Sequence, residues 1–249
     1  MKYIILVISL LSSLYSDITL AKDTSASKSD LKKSKIKPAS ANSGTWSHNA
    51  DADDHGTWTF NTETDIYRLG TYQNIAGSYA DPNGWSVSLS LLNTQILGAN
   101  NLFQGDTFIN VAKSFTISDT LSISIGSLNG VALTNIHPQV WYDYTYSDTQ
   151  YNVTPSLMIH LGPYLANAAL TGTTRQVGFL TGAEITFIPN KLALQMDYIS
   201  GRQALSGATV NLLLNFTPSY QMYTGVYVPE QNSGYEFSGI VGFNYATAH

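Results

Sequence analysis

The segment Tyr235-Glu236-Phe237-Ser238-Gly239-Ile240-Val241-Gly242-Phe243-Asn244-Tyr245 alternates two kinds of side chain. Successive residues of a β-strand point to opposite faces, so Tyr235, Phe237, Gly239, Val241, Phe243 and Tyr245 share one face and Glu236, Ser238, Ile240, Gly242 and Asn244 the other. The first face is aromatic and apolar; the second is mixed and mostly polar. A strand with this pattern separates an apolar medium from a wetter interior.

At the other end the chain begins Met1-Lys2-Tyr3 and runs through Ile4-Ile5-Leu6-Val7-Ile8-Ser9-Leu10-Leu11 to Thr19-Leu20-Ala21, a secretory signal with a cleavage site expected after Ala21. Its apolar run is too short to cross roughly 30 Å of hydrocarbon as a helix, which takes about 20 residues. If the exported protein enters a membrane, it must do so as strands. The absence of cysteine excludes disulfides and a lipid-bearing mature Cys.

Charge marks a boundary. Between Lys22 and Lys37 six lysines stand against Asp23 and Asp30, whereas from Pro38 onward Arg68, Lys113, Arg175, Lys191 and Arg202 face fourteen carboxylates. Residues 22–55 are rich in Ser, Lys, Ala and Asp and nearly free of large apolar groups, too poor in buriable surface to offset the entropy of ordering. They read as a flexible periplasmic tail, leaving 56–249 as the folded domain.

Beyond that boundary, segments of about ten residues alternate apolar with small or polar. Short turns are expected at Asp81-Pro82-Asn83-Gly84, Ser118-Asp119-Thr120, Ser147-Asp148-Thr149-Gln150, Pro189-Asn190 and Thr217-Pro218-Ser219. Longer connections fall between them, at 94–106, 127–137, 162–174, 200–206 and 229–234. This gives strands near 85–93, 107–117, 121–126, 138–146, 151–160, 175–188, 191–199, 207–216, 220–228 and 235–245, with two more around Trp58 and Phe60 and at 72–80. The expected fold is all-β, an antiparallel up-and-down transmembrane β-barrel of twelve strands, with ten as the alternative. Aromatics gather beside the short turns on the lipid-facing side: Trp85, Phe115, Tyr146, Tyr151, Phe187, Phe216, Tyr220, Phe243 and Tyr245. Strict alternation puts Lys113 on that face too, so a bulge or snorkelling to the rim is expected there.

From His160 to Tyr245, including Ile188-Pro189-Asn190-Lys191-Leu192 and Asp197-Tyr198-Ile199-Ser200-Gly201, the chain resembles small, porin-like outer-membrane β-barrel proteins of Gram-negative bacteria. The resemblance implies an outer-membrane location, contact with outer-membrane lipid, and insertion by the barrel-assembly machinery. Phe243 and Tyr245 would belong to the assembly signal of the closing strand. That signal departs by one position, because Gly239 stands where the spacing would have Ile240.

Chemical motifs are sparse. Ser156 and His160 share a strand face but lie roughly 13 Å apart, too far for a nucleophile and its base. His137 would approach His160 if a hairpin joined Tyr146 to Tyr151, yet two polar residues at a barrel mouth read more simply as solvated. The stretch His48-Asn49-Ala50-Asp51-Ala52-Asp53-Asp54-His55 lacks the glycine and terminal glutamate of a calcium loop and reads as an acidic linker. No catalytic residue, metal site, cofactor or nucleic-acid partner is expected. The inward positions carry the functional interest: Asp143, Glu184, Asp197, Glu236, Arg175, Arg202, Trp141 and Tyr223 are expected to line a lumen. With carboxylates outnumbering bases, that lumen would form a narrow, cation-preferring channel for small solutes; the alternative is a closed structural or ligand-binding surface barrel whose Trp141, Tyr223 and Tyr227 fill the middle.

Overall fold

The computed structural model describes residues 56–68, 70–97, 104–134, 137–171, 176–201, 206–231 and 236–247. The signal sequence expected at 1–21, the tail at 22–55 and the acidic His48–His55 stretch lie outside the described residues, as do Arg175, Arg202 and Tyr235.

Twelve strands form a closed antiparallel barrel. In chain order they are β1 (Thr57–Ile66), β2 (Thr71–Ala80), β3 (Trp85–Leu97), β4 (Gln104–Ser118), β5 (Leu121–Thr134), β6 (His137–Thr154), β7 (Leu157–Ala166), β8 (Gln176–Ile188), β9 (Leu192–Ile199), β10 (Gly207–Asn215), β11 (Tyr220–Pro229) and β12 (Ser238–Ala246). A four-residue helix, α1 (Ala168–Thr171), follows β7, and the Asn167 side chain accepts the Leu170 N–H at 3.1 Å as its cap. Each strand pairs with its chain neighbours, and β1 pairs with β12 from Thr59↔Ala246 to Ile66↔Gly239. Closure leaves no open edge, as a strand-built membrane span requires.

The turns at one end are tight and built from the residues that favour them. Asp81 accepts the Trp85 N–H through its side chain (2.7 Å) and the Gly84 N–H through its carbonyl (3.0 Å), while Gly84 takes φ of 84°. One expected turn is displaced. Ser147-Asp148-Thr149-Gln150 lies inside β6, and the β6–β7 hairpin turns instead at Pro155-Ser156. The reason is the outer face of this stretch, where Thr145, Ser147 and Thr149 replace the usual aliphatic residues, so that polar groups on both faces imitate a turn. The expected long connection at 127–137 is also mostly strand, because β5 runs to Thr134. With the register corrected, His137 lies opposite Thr134, and Gln150 is the partner of His160; the approach of His137 to His160 does not occur.

The outer surface is apolar. Trp58, Phe60, Trp85, Val87, Leu89, Ile109, Phe115, Ile125, Leu161, Phe179, Leu212, Phe216, Tyr220 and Phe243 are all exposed, far more contiguous apolar surface than water tolerates. Rings collect beside the tight turns: Tyr220 lies 4.9 Å from Tyr245, and Trp58 5.0 Å from Tyr79. Tyr146 is the exception to the expected belt, being buried on the inward face. Lys113 keeps its place in regular pairing, opposite Trp85 and Ile125. It reaches the turn end, where its ammonium donates to the Asn83 carbonyl and sits 5.3 Å over the Trp85 ring and 5.7 Å from that of Phe115.

Candidate functional site: a carboxylate-lined lumen

Inward residues divide into three sectors around the barrel. On β3 they include Ser86, Ser88 and Ser90, and on β5 Ser122 and Ser124 precede the larger Leu128. Elsewhere polar and aromatic residues share the interior with aliphatic ones, among them Leu180, Leu213 and Ile240. Three of the aromatics use a shared device, sitting directly across from a glycine on a neighbouring strand and lying over it. Tyr146 pairs with Gly126, Tyr164 with Gly178 and Tyr223 with Gly242. A Cβ added to those glycines would fall 2.4, 2.4 and 2.1 Å from the ring. The rings therefore occupy the space above the glycine of a neighbouring strand, and all three are buried.

The β6–β9 sector contains the most organised charge cluster. His160 on β7 sits between two aspartates, with Nδ1 3.0 Å from Asp148 Oδ1 on β6 and Nε2 2.9 Å from Asp197 Oδ1 on β9. The three are 5%, 2% and 5% exposed. The imidazole reaches Asp197 across β8 because the intervening residue is Gly182, partner of both His160 and Asp197; a Cβ there would lie 2.2 Å from Nε2. Both ring nitrogens are therefore engaged by carboxyl oxygens. Neither nitrogen is left to act as a base toward a nucleophile, so this His-Asp arrangement does not form a hydrolytic triad.

A second network spans the seam where the barrel closes. Gln221 donates to Asn215 (2.8 Å) and accepts from Asn244 (2.8 Å); Asn61 donates to Asn244 (2.6 Å) and to the Tyr223 hydroxyl (2.8 Å). Tyr223 in turn donates to Glu63 (2.9 Å), and Asn74 donates to Glu63 (3.1 Å) and Asp65 (2.7 Å). At the long-loop end Asn93 donates to Asp106 at 2.7 Å.

The residues expected to line the lumen separate clearly. Glu184, Asp197 and Tyr223 are buried on inward faces, and the β8–β9 hairpin pairs Glu184 with Gln195 and Gly182 with Asp197. Trp141 and Asp143 lie on the opposite face of β6 from buried Tyr144 and Tyr146, so they point outward; the displaced turn had inverted the phase of this strand. Glu236 stands just before β12 at the long-loop rim, 4.0 Å from Arg68. Phe243 and Tyr245 are on the outer face of β12, and Tyr245 lies 6.4 Å from Phe60. Sequence reading missed Glu63, Asp65, Asp106 and Asp148 as inward carboxylates. The first two lie in Asn61-Thr62-Glu63-Thr64-Asp65, where threonines on the outer face hide the alternation as they do in β6. Among the described residues no Lys or Arg lies on an inward strand face: Arg68 is at a rim, Lys113 outside and Lys191 in a turn.

The fold is that of a porin-like barrel. No family model and no curated protein sequence matches the chain, but solved structures do. The KdgM porin, in complex with disordered oligogalacturonate, is 16% identical, with a TM-score of 0.53 over 78% of this chain and 99% of its own. The NanC porin is 10% identical, with a TM-score of 0.54 over 76% and 98%.

Proposed function

We propose that this protein is an outer-membrane channel for small solutes and that it prefers cations. The observation that carries the reading is the opposition of its two surfaces: an apolar, ring-belted exterior around a lumen bearing Glu63, Asp65, Asp106, Asp148, Glu184 and Asp197 and, among the described residues, no inward Lys or Arg. Fixed carboxylates in a narrow low-dielectric bore raise the local concentration of cations. Oligogalacturonate, present in the KdgM complex, is a polyanion, and the same chemistry that favours cations here disfavours a solute of that charge. The protein's role is transport without catalysis, since the histidine best placed for chemistry has both nitrogens engaged by carboxylates.

Purified protein in a planar bilayer should show small conductance steps whose reversal potential in a salt gradient lies on the cation side. A silent bilayer containing verified, heat-modifiable protein would instead favour a closed structural barrel, and anion preference would refute the charge argument.

A further inference from the structure

A cavity of about 360 Å³ opens among the tight turns, with Asp119, Asn190 and Lys191 at its mouth and Met158, Ala193 and Glu184 deeper in. Glu184 is the unusual member. It is 7% exposed, yet no described residue donates a hydrogen bond to it, and its charged neighbour is another carboxylate, Asp197. Asp197 is already committed to His160. The strand partners of Glu184 are Met158 and Gln195, so its surroundings supply apolar contact on one side and an amide on the other. Because Glu184 lines the cavity, a group bound there can supply the hydrogen-bond donor that the wall does not.

We propose that this cavity is a binding site for small organic ammonium ions, with Glu184 accepting from the ammonium and Met158 and Ala193 contacting its apolar part. The volume falls at the small end of the range for small-molecule pockets, roughly 300 to 1,000 Å³, which fits a solute of a few heavy atoms and excludes an oligosaccharide. The inference rests on the reading of the lumen as an acidic path for solutes, and it places a site on that path at the turn end.

The probe is propylammonium, with propionate as the like-sized anion, titrated calorimetrically into full-length folded protein in detergent. Saturable binding of propylammonium and none of propionate is expected, with Glu184→Gln weakening the former at least tenfold. Thr186→Trp, which fills the cavity and keeps the carboxylate, should weaken it comparably. Absence of saturable binding by folded wild-type protein would overturn the site, as would unchanged affinity in Glu184→Gln; should that variant fail to fold, unchanged affinity in Thr186→Trp would do the same. The measurement needs no current, so the two readings fail separately. Cation-selective steps without propylammonium binding would remove the site and leave the channel, whereas binding with a silent bilayer would remove the channel and leave the site.

Discussion

At Gly182 the absence of a side chain is what lets His160 span from Asp148 to Asp197, so one glycine determines whether two buried carboxyl groups share one imidazole. Gly182→Val should displace the imidazole and destabilise the barrel by overpacking, on the order of 1 to 3 kcal/mol. His160→Ala should cost more, about 3 to 5 kcal/mol, because it leaves buried like charges uncompensated. Both should lower the temperature at which the compact band on a denaturing gel gives way to the unfolded one, the second further than the first; a His160→Ala midpoint equal to wild type would refute the bridge as a stabilising element. The sequence made half of this site legible. Alternation and the Pro189-Asn190 hairpin place Glu184 and Asp197 inward in their observed register. Asp148 was hidden because its strand is polar on both faces, and glycine's role at 182 is visible only once three strands are laid side by side.

Strand by strand, legibility follows the outer face. Where that face is aliphatic or aromatic, as in β3, β10 and β12, period two stands out and the strands are found within a few residues. Where it is hydroxyl-bearing, as in β6 around Thr145, Ser147 and Thr149, neither phase nor turn can be read, and Trp141 and Asp143 are assigned to the wrong side. The count of twelve survives the misplaced turn because shifting a hairpin along the chain moves its strands without removing one. β12 has a further duty that local pattern does not reveal: it pairs with β11 and β1, and its Asn244 is held by Gln221 and Asn61 from those two strands. Removing residues from Tyr235 onward should therefore abolish assembly, leaving β1 and β11 as open edges in lipid. Recovery of that truncated chain in heat-modifiable form from washed membranes would contradict closure by β12.

Across the whole molecule, carboxylates serve either packing or permeation according to whether another residue already satisfies them. Asp148 and Asp197 are tied to His160, Glu63 and Asp65 to the Asn74 and Tyr223 network, while Glu184 faces a cavity with no described donor. A carboxylate whose partner is built into the wall contributes its hydrogen bonds to stability, and its field is partly offset by that partner; an unpartnered one presents its whole field to a passing ion. The two kinds should separate on mutation. Asp197→Asn should lower the unfolding temperature markedly, since it weakens a charge-assisted bond to His160, and change the reversal potential only modestly. Glu184→Gln should do the opposite: stability unchanged or slightly raised, because a buried unpaired charge is removed, and cation preference clearly reduced. Measured side by side in the same bilayer and by the same heat-modifiability assay, the two variants would argue against this division if Asp197→Asn proved the stronger effect on selectivity or Glu184→Gln the stronger effect on stability.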